Sequence, residues 1–338
     1  MAVATIDFDR ILHGTEASKA AAAQELVESF RSTGFVRLVN TSIPTSAIQQ
    51  AEDWNHKFFK QEMDTKSKAV NIPSPNPQRG WSYLGAESTA RLKNPGRLDL
   101  TDEKEHFDVG PPNDTSFPNK WLEDSLPGFQ RFSEEFYEAC QTLCLQIMAA
   151  CEIGSPLPRG TLVNKCVPAA SELRYNHYPA VSVGKLNQGK TRRGWPHTDF
   201  GIITLLFQDS QGGLQYEDRG HPGRFLPLQR LSDDEVAVNI SDTFHRWSNG
   251  VIAGGVHQVG LPPLSEQQVR EGEGLVLPVR KSTVFFFKAH RDEMVGALDS
   301  FVDEKRPKKY EDITALEFHK RMTDVLIKNS LTTPVAGS

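Results

Sequence analysis

The feature that most constrains the fold of this chain is a change of hydrophobic period near Pro168. Beyond that residue, apolar and polar residues alternate in short runs separated by Gly, Pro, Asn and Asp, a pattern typical of β-strands joined by turns. The runs are LRYNHYPA, HTDFGIITLLFQD, GLQYED, RFLPLQ, EVAVNIS, VIAGGVHQVG and STVFFFKA. Strands at this density after a helical first half predict an α+β chain whose core is a double-sheet jelly roll buttressed by helices.

The first half of the chain is predicted to be mainly helical. Residues 16–33 carry their large apolar side chains on one side and end at Gly34, a typical helix stop. A strand over residues 34–40 and a second helix up to Phe59 follow. Between residues 128 and 152, aromatic and aliphatic residues recur every three or four positions, which predicts a long helix that braces one side of a sheet.

Two further segments complete the expected organisation. Ile72 to Gly85 has prolines at every second position near its start, which predicts an extended loop on the surface, and Ile313 to Lys328 reads as an amphipathic C-terminal helix packed on the outside. We therefore expect one catalytic domain, divided into an N-terminal helical and extended region over 1–125, a bracing helix within 126–167, the jelly-roll core over 168–292, and a C-terminal helix and tail over 293–338.

The charge balance argues against nucleic acid and membranes as partners and favours a small molecule. Lys and Arg number 38 against 43 Asp and Glu, so the net charge of −5 gives no general attraction to phosphate backbones or anionic lipid. The N-terminus lacks the basic and apolar stretches of a secretory signal, and we expect a cytoplasmic protein. The four cysteines are expected to be buried structural thiols: Cys140, Cys144, Cys151 and Cys166.

Two histidines and one aspartate form a candidate metal site. His197 and Asp199 stand two residues apart on a predicted strand, so both side chains should leave the same face, although this spacing also fits a polar strand edge. His257 follows on another alternating run, 257 − 199 = 58 residues after the aspartate. One carboxylate with two imidazoles leaves coordination positions open, the arrangement in which ferrous iron binds a co-substrate and dioxygen together.

Other histidines are weaker candidates for the metal. His245 could replace His257, but it follows a strand at a turn, where exposure is the commoner outcome. The remaining ones considered have no partner at chelating distance in sequence, and we interpret them as structural or surface residues: His177, His221, His290 and His319.

A second group of polar residues predicts a receptor for a carboxylate. Arg280 and Ser282 share one face of the strand that continues into TVFFF, and Lys281 points away. A guanidinium with a hydroxyl beside it binds both oxygens of a carboxylate, and an arginine buried among phenylalanines needs such an anion. Asn176 and Tyr178, again two residues apart, face one way and serve either the same ligand or ordinary contacts within the sheet.

These pieces occur in the order N-x-Y-P, H-T-D, S-N-G, H and R-x-S, and in that order the chain resembles the isopenicillin N synthase-like branch of the 2-oxoglutarate/iron(II) dioxygenases. GFVRLVNTSIP, RGWSYLG and GGLQY resemble further segments of that family, and the overall look is closest to members from fungal secondary metabolism. The interval from His257 to Arg280, 280 − 257 = 23 residues, is longer than is usual there and is interpreted as a loop insertion.

The resemblance implies a double-stranded β-helix, or distorted jelly roll, and an enzyme that uses Fe(II), 2-oxoglutarate and O2. His197, Asp199 and His257 would bind the iron. The distal carboxylate of 2-oxoglutarate would meet Arg280 and Ser282, with Tyr178 and Asn176 in the same pocket. The expected reaction oxidises a C–H bond of a small molecule, by hydroxylation, desaturation or ring rearrangement, and releases succinate and CO2.

The substrate pocket is less well defined by the sequence, and two other functions stay open. Candidate pocket residues come from KEHFDVG, from the position after the aspartate and from a basic loop that also reads as a solvated turn: Lys104, His106, Phe107, Phe200, Arg192 and Arg193. The alternatives are an isopenicillin N synthase-type oxidase that uses no oxoglutarate, and a cupin-like metal-binding or sensor protein that catalyses no oxidation.

Overall fold

The structure of the protein is a computed structural model that describes residues 2–155 and 157–327. Its helices in these ranges are α1 Asp9–Leu12, α2 Glu16–Thr33, α3 Thr45–Phe59, α4 Met63–Ser67, α5 Ala90–Lys93, α6 Phe129–Gly154, α7 Val183–Asn187, α8 Asp242–Trp247, α9 Glu266–Glu271 and α10 Ala315–Ile327. The final residues of the expected C-terminal region, 328–338, lie outside the described residues.

The strands concentrate in the second half of the chain, as the change of period predicts. They are β1 Thr5–Asp7, β2 Phe35–Val39, β3 Gly80–Ser82, β4 Thr101–Asp102, β5 Glu105–Val109, β6 Glu172–Tyr178, β7 Val181–Ser182, β8 Thr191–Arg192, β9 Gly194–His197, β10 Ile203–Gln208, β11 Leu214–Glu217, β12 Phe225–Pro227, β13 Val236–Ile240, β14 His257–Val259, β15 Val276–Leu277 and β16 Arg280–Phe287.

Two sheets form the core. Within the described residues, the larger sheet has the strand order β1-β2-β13-β10-β16-β6-β5-β3, and the smaller sheet has the order β12-β11-β14-β9. The chain crosses between the sheets repeatedly, for example from β9 to β10 and from β13 to β14, as in a double-stranded β-helix. The predicted α+β class, with a jelly-roll core, helices before it and a C-terminal helix, is therefore confirmed.

The N-terminal region is built into the larger sheet. Strand β2 pairs with β13, and β5 pairs with β6, so strands from both halves of the chain share one hydrogen-bonded layer. Helix α2 feeds directly into β2 because it ends at Gly34, whose φ of 80° is a left-handed conformation that glycine adopts without a steric cost.

Alternation along the central strands separates a cavity face from a helix face. On β6, the Tyr175 hydroxyl lies 3.0 Å from Ser133 of α6, and on β16, the ring of Phe285 lies 5.0 Å from that of Tyr137 on the same helix. Because successive side chains point to opposite faces, residues one position away face the space between the sheets. Helix α6 thus braces the larger sheet, as its hydrophobic repeat predicts.

Two further predictions concern the proline-rich segment and the cysteines. The proline-rich segment does not simply cover the surface: Gln78 and Arg79 are buried, and β3 joins the larger sheet. The predicted extended, non-helical conformation is confirmed, but the expected surface position is wrong for residues 78–82, because a strand of three residues in a proline-rich context leaves no periodic signal. All the cysteines, by contrast, are buried and unpaired as expected, and burial raises the pKa of each thiol.

Candidate active site

Three metal-ligating side chains converge between the two sheets. The candidate ligand atoms of His197, Asp199 and His257 all lie within 4.8 Å of one another. The two histidines are directly opposite each other in the antiparallel pair of β9 and β14, and the Nε2 atoms of His197 and His257 lie 3.7 and 3.9 Å from Asp199 Oδ1. Asp199 and His257, which are 58 positions apart in sequence, therefore direct their ligand atoms to one point between the sheets.

The aspartate reaches this point in a way that the sequence pattern did not predict. Strand β9 ends at His197, and Asp199 lies two residues beyond it, in the bend that leads to β10. The expectation that His197 and Asp199 extend from the same face of one strand is therefore wrong, although their side chains do converge. The turn from the smaller sheet to the larger one brings the carboxylate to the histidines.

Hydrogen bonds orient both imidazoles for metal binding. The Nδ1 of His197 lies 2.7 Å from the carbonyl oxygen of Trp195, and the Nδ1 of His257 lies 3.0 Å from that of Gly255. Because a carbonyl only accepts, each Nδ1 carries the proton and donates it, which leaves the Nε2 lone pair free for an ion. Burial, and then the neighbouring His257, lower the pKa of His197 to about 3, so this imidazole is neutral at neutral pH.

The carboxylate of Asp199 is held with one oxygen free. Its Oδ2 accepts hydrogen bonds from Thr204 Oγ1 at 2.7 Å and Asn239 Nδ2 at 2.9 Å, and its Oδ1 faces the histidines. Burial by itself would raise the pKa of Asp199, but the two imidazoles and these hydrogen bonds lower it below its ordinary value. The donor set and its supporting contacts fit a ferrous ion with open coordination positions.

His245 does not belong to this cluster. It lies on α8, where its Nδ1 donates to the Ile252 carbonyl at 3.2 Å and its Nε2 accepts from the Tyr310 hydroxyl at 2.7 Å. The expected exposure at a turn is wrong, since the side chain is half-buried with both ring nitrogens in use. Within the described residues, the group of metal-ligating side chains that converge in this way consists of His197, Asp199 and His257.

A cavity of about 590 Å³ opens on one side of the cluster and contains the predicted carboxylate receptor. Tyr178 is the register partner of Arg280, and Asn176 is that of Ser282, so the four residues form two adjacent pairs on neighbouring strands. All four line this cavity, which we call the oxo-acid cavity. The spacing of two on each strand places them on one face, as the sequence predicts.

The Arg280 guanidinium is buried and has no carboxylate partner among the described residues. Its Nε donates to the Gly212 carbonyl at 2.8 Å, its Nη1 lies 3.4 Å from Ser282 Oγ, and it stands over the Tyr178 ring at 4.8 Å. Asn176 donates to Ser282 Oγ at 3.4 Å, and its Oδ1 is buried without a partner in the described structure. The guanidinium without a carboxylate partner and the Ser282 hydroxyl fit a bound carboxylate, whereas the Asn176 oxygen needs a hydrogen-bond donor.

The long interval between His257 and Arg280 is an ordered excursion. It contains α9, which begins with a capping box at Ser265, and β15, which pairs with β7. The excursion returns to the sheet before Arg280, whose register opposite Tyr178 is kept. The insertion therefore leaves the receptor in place.

A second cavity, of about 620 Å³, adjoins the first at the cluster, and we call it the substrate cavity. His197 and Asp199 line both cavities, so the candidate metal position is at their junction. The walls of the substrate cavity combine apolar and charged side chains: Gln78, Glu87, Thr89, Leu92, Lys104, Glu172, Arg174, Phe200, Phe286, Lys288, His319, Thr323 and Leu326.

Most of the charged groups in this wall are paired with one another. Arg174 donates to Asp108 at 2.6 Å and to Glu87 at 3.0 Å, and Lys288 donates to Glu172. Lys104 differs, because its Nζ lies 3.8 Å from the nearest Glu87 oxygen, beyond hydrogen-bonding distance.

His319 is part of this wall and is electrically neutral. Its Nδ1 lies 3.2 Å from the Nζ of Lys288 and accepts from it, which leaves the Nε2 proton directed to Thr323 Oγ1 at 3.3 Å. Burial, and then the positive charge of Lys288, lower the pKa of His319 to about 3. His319 is therefore a buried structural residue outside the metal cluster, as interpreted, and its ring also lines the cavity, which the sequence did not show.

The predicted substrate residues divide into three groups. Lys104 and Phe200 line the substrate cavity. His106 lies behind the wall, with its Nε2 3.3 Å from Gln78 Oε1, and Phe107 is buried in the core against Phe58, so the pocket role expected for these two is wrong. The physical reason for Phe107 is the strand period: Lys104 and His106 share one face of the β5 segment, and Phe107 points to the helices.

The two adjacent arginines also separate. The Arg192 guanidinium stacks on the Trp195 ring at 4.7 Å and its Nη1 donates to Gln258 at 2.9 Å, outside the lining of both cavities. Arg193 lines the oxo-acid cavity and not the substrate cavity. Because consecutive residues of an extended chain point in opposite directions, only Arg193 reaches a cavity, and the pocket role expected for Arg192 is wrong.

Sequence reasoning missed several residues of the substrate cavity. Gln78 comes from the proline-rich segment, and three lining residues come from α10. Their spacing of four and three places His319, Thr323 and Leu326 on one helix face. The amphipathic pattern marks that face as buried, but it does not show that the partner is a cavity wall.

A double-stranded β-helix with two histidines and one carboxylate at the mouth of a cationic cavity defines the class of mononuclear non-haem iron oxygenases. Two family models match the chain. Residues 3–124 match the non-haem dioxygenase in morphine synthesis N-terminal model, and residues 170–289 match the 2OG-Fe(II) oxygenase superfamily.

Similar proteins carry the same assignment. The 2-oxoglutarate-dependent dioxygenase ecdK of Aspergillus rugulosus is 42% identical over 96% of this chain and 100% of its own length. The 2-oxoglutarate-dependent dioxygenase phqC of Penicillium fellutanum is 42% identical over 94% of this chain and 92% of its own. The chain therefore belongs to the 2OG-Fe(II) oxygenase superfamily, and it is an oxidoreductase that uses Fe(II), 2-oxoglutarate and O2.

Two solved structures resemble this chain over most of its length. A full-length Neurospora crassa protein in complex with alpha-KG and thymine superimposes with a TM-score of 0.83 at 30% identity, covering 95% of this chain and 96% of that one. A 2OG-Fe(II) oxygenase family protein from Caulobacter crescentus has a TM-score of 0.76 at 26% identity, with 95% and 97% coverage. These findings favour a small-molecule oxygenase over the two alternatives. Among the helices described, none has the length and apolarity to cross a bilayer.

Proposed function

We propose that His197, Asp199 and His257 bind the catalytic Fe(II), and that 2-oxoglutarate occupies the oxo-acid cavity. The observation that carries this assignment is the convergence of three oriented ligand atoms at the junction of two cavities. When bound there, iron supplies the redox chemistry by which one O2 oxidises both the oxo acid and the substrate. The balanced reaction converts substrate C–H, 2-oxoglutarate and O2 into substrate C–OH, succinate and CO2.

The residues of the oxo-acid cavity bind and orient the co-substrate in this proposal. Arg280 and Ser282 hold the distal carboxylate, which satisfies the buried guanidinium. Tyr178 packs under the guanidinium, and the free Oδ1 of Asn176 accepts a hydrogen bond from a bound water or from a protonated group at the pocket wall. The buried apolar side chains between the sheets exclude bulk water from the reacting groups.

The substrate occupies the other cavity in this proposal, with its reacting C–H bond directed to the junction. Phe200 provides an apolar surface, and Lys104 provides a cation that is not in a hydrogen-bonded pair. We infer an organic small molecule with an oxygen that accepts from Lys104. The combination of apolar and polar lining groups is typical of a small-molecule site.

The biological setting is part of the same proposal. The identity of 42% with fungal 2-oxoglutarate-dependent dioxygenases supports the predicted role in secondary metabolism. The cytoplasmic location and the division of the chain at residues 125, 167 and 292 stay predictions from the sequence.

Substitution of the aspartate tests the metal assignment. Asp199→Ala removes the single carboxylate of the cluster, so we expect iron content to fall and succinate formation to be abolished. Elemental analysis and succinate release in the presence of Fe(II), 2-oxoglutarate and O2 measure the two effects. Anaerobic addition of Fe(II) and 2-oxoglutarate should also give a weak visible charge-transfer band in the wild type and none in the variant.

His245→Ala is the matched control for this test. It removes an imidazole that lies outside the cluster, so iron content and the visible band should be retained. Loss of iron from this variant, together with retention by Asp199→Ala, would reassign the metal site.

A further inference from the structure

Arg193 brings a second guanidinium to the oxo-acid cavity. The residue lies between β8 and β9, four positions before His197, and only 3% of its surface is exposed. It lines the same cavity as Arg280, Ser282 and Tyr178. Arginine is seldom buried to this extent without an anion, so the surroundings of its five N–H donors show whether one is missing.

The protein satisfies only part of the Arg193 guanidinium. Its Nη2 donates to the Pro179 carbonyl at 3.2 Å and to the Pro278 carbonyl. Its Nε is buried without a partner, and its Nη1 forms no hydrogen bond with any residue in the described ranges. Pro179 follows Tyr178, and Pro278 precedes Arg280 by two residues, so the guanidinium is held at the end of the strand pair that forms the receptor.

No carboxylate in the described structure forms a salt bridge with Arg193. The carboxylates that attract it from a greater distance are occupied: Asp209 accepts from the backbone N–H of Lys281, and Glu103 is paired with Lys185. Burial, and then the charge of Arg280, lower the pKa of Arg193 to about 10, which leaves the Arg193 guanidinium charged at neutral pH. Two guanidinium groups therefore line one cavity, and neither has a carboxylate at salt-bridge distance among the described residues.

We propose that Arg193 is a second binding residue for the distal carboxylate of 2-oxoglutarate, acting beside Arg280 and selecting dicarboxylate oxo acids over those with an uncharged tail. The proposal rests on the assignment of this cavity to 2-oxoglutarate. Two buried cations without a partner are destabilising in the free protein, and an incoming carboxylate relieves that cost. The same charges weaken the binding of an oxo acid whose tail cannot compensate them.

The experiment compares equilibrium binding of two oxo acids by isothermal titration calorimetry, without oxygen and with Fe(II) present. The probes are 2-oxoglutarate and 2-oxopentanoate, which has the same chain length but no distal carboxylate. Arg193→Gln should weaken the binding of 2-oxoglutarate by about 10-fold or more, because it removes a hydrogen bond between two charged groups. Binding of 2-oxopentanoate should be unchanged or tighter, which raises its affinity relative to that of 2-oxoglutarate.

Arg192→Gln is the matched control, because its side chain points away from both cavities, and it should bind both probes like the wild type. Arg193→Lys keeps the charge and should recover part of the preference for 2-oxoglutarate. Equal weakening of both probes by Arg193→Gln would show a role only in holding Pro179 and Pro278, and would overturn the proposal.

The assignment of the cavity itself is tested separately. If Arg280→Ala weakens 2-oxoglutarate but Arg193→Gln does not, the proposal for Arg193 is wrong and the proposed function stands. If neither substitution weakens 2-oxoglutarate, the oxo acid binds elsewhere, and both assignments are wrong.

Discussion

The two cavities that meet at His197 and Asp199 balance their charges in different ways. In the substrate cavity, Arg174 and Lys288 are hydrogen-bonded to carboxylates of the protein. In the oxo-acid cavity, Arg193 and Arg280 have no carboxylate within salt-bridge distance among the described residues. Apart from Lys104, the lysine and arginine side chains of the substrate cavity are therefore paired with carboxylates of the protein, whereas Arg193 and Arg280 are left to pair with an incoming anion.

This difference separates two kinds of recognition. An unpaired buried guanidinium gains most from a carboxylate, so the oxo-acid cavity is selective for charge. In the substrate cavity, the paired charges are already satisfied, and selection there depends on shape, apolar contact and a few free polar groups. In the proposed assignment, the polar residues of the oxo-acid cavity select the co-substrate. The shape of the substrate cavity selects the molecule that is oxidised.

The largest effect is predicted for Arg280, which has no carboxylate partner in the described part of the oxo-acid cavity. Arg280→Ala should raise the Michaelis constant for 2-oxoglutarate by roughly 30-fold or more, because loss of one partner of a buried charge pair costs about 2–5 kcal/mol. Steady-state succinate release over a range of 2-oxoglutarate concentrations measures the change. An unchanged constant would show that the cavity does not hold the distal carboxylate.

Lys281→Ala is the matched control for that substitution. Lys281 is the neighbouring residue on β16, but its side chain points to the opposite face, where its Nζ lies 3.4 Å from Glu52. The Michaelis constant for 2-oxoglutarate should therefore stay within about two-fold of the wild-type value, because exposed ion pairs contribute little.

The next prediction concerns the paired charges of the substrate cavity. Glu172→Gln leaves the ammonium of Lys288 buried without its carboxylate, so we expect the free energy of unfolding to fall by about 3 kcal/mol. Denaturant unfolding measures the loss, and the Michaelis constant for 2-oxoglutarate should change little. The double variant Glu172→Gln, Lys288→Met removes the orphaned charge and should recover part of the stability; a double variant less stable than the single one would contradict this account.

The smallest effect concerns Lys104, which lines both cavities and is not in a hydrogen-bonded pair. Lys104→Met should raise the Michaelis constant of the oxidised substrate by about 10-fold, as expected for one lost charge-assisted hydrogen bond. Succinate release stimulated by a compound found in a substrate screen measures this constant. A rise in the constant for 2-oxoglutarate alone would place Lys104 on the side of the oxo acid instead.

Residue spacing predicted the receptor more accurately than it predicted the substrate cavity. The pairs Arg280 with Ser282, and Asn176 with Tyr178, are each two residues apart on one strand, and alternation alone places each pair on one face. The substrate cavity takes residues from four distant parts of the chain: Gln78, Lys104, Phe200 and Leu326. No local period connects such positions, so sequence reasoning found some of them and missed the others.

Local patterns in the sequence were enough to predict the strand-rich core, the bracing helix, the pair of histidines with an aspartate, and the arginine and serine of the receptor. These features depend on periods of two or about 3.6 residues and on side-chain chemistry, which are local properties. Tertiary packing was needed to show that Phe107 faces the core, that Arg193 lines the oxo-acid cavity and not the substrate cavity, and that α10 forms part of a cavity wall. The reason is that alternation fixes which residues share a face, whereas the packing of one sheet against another decides what that face meets.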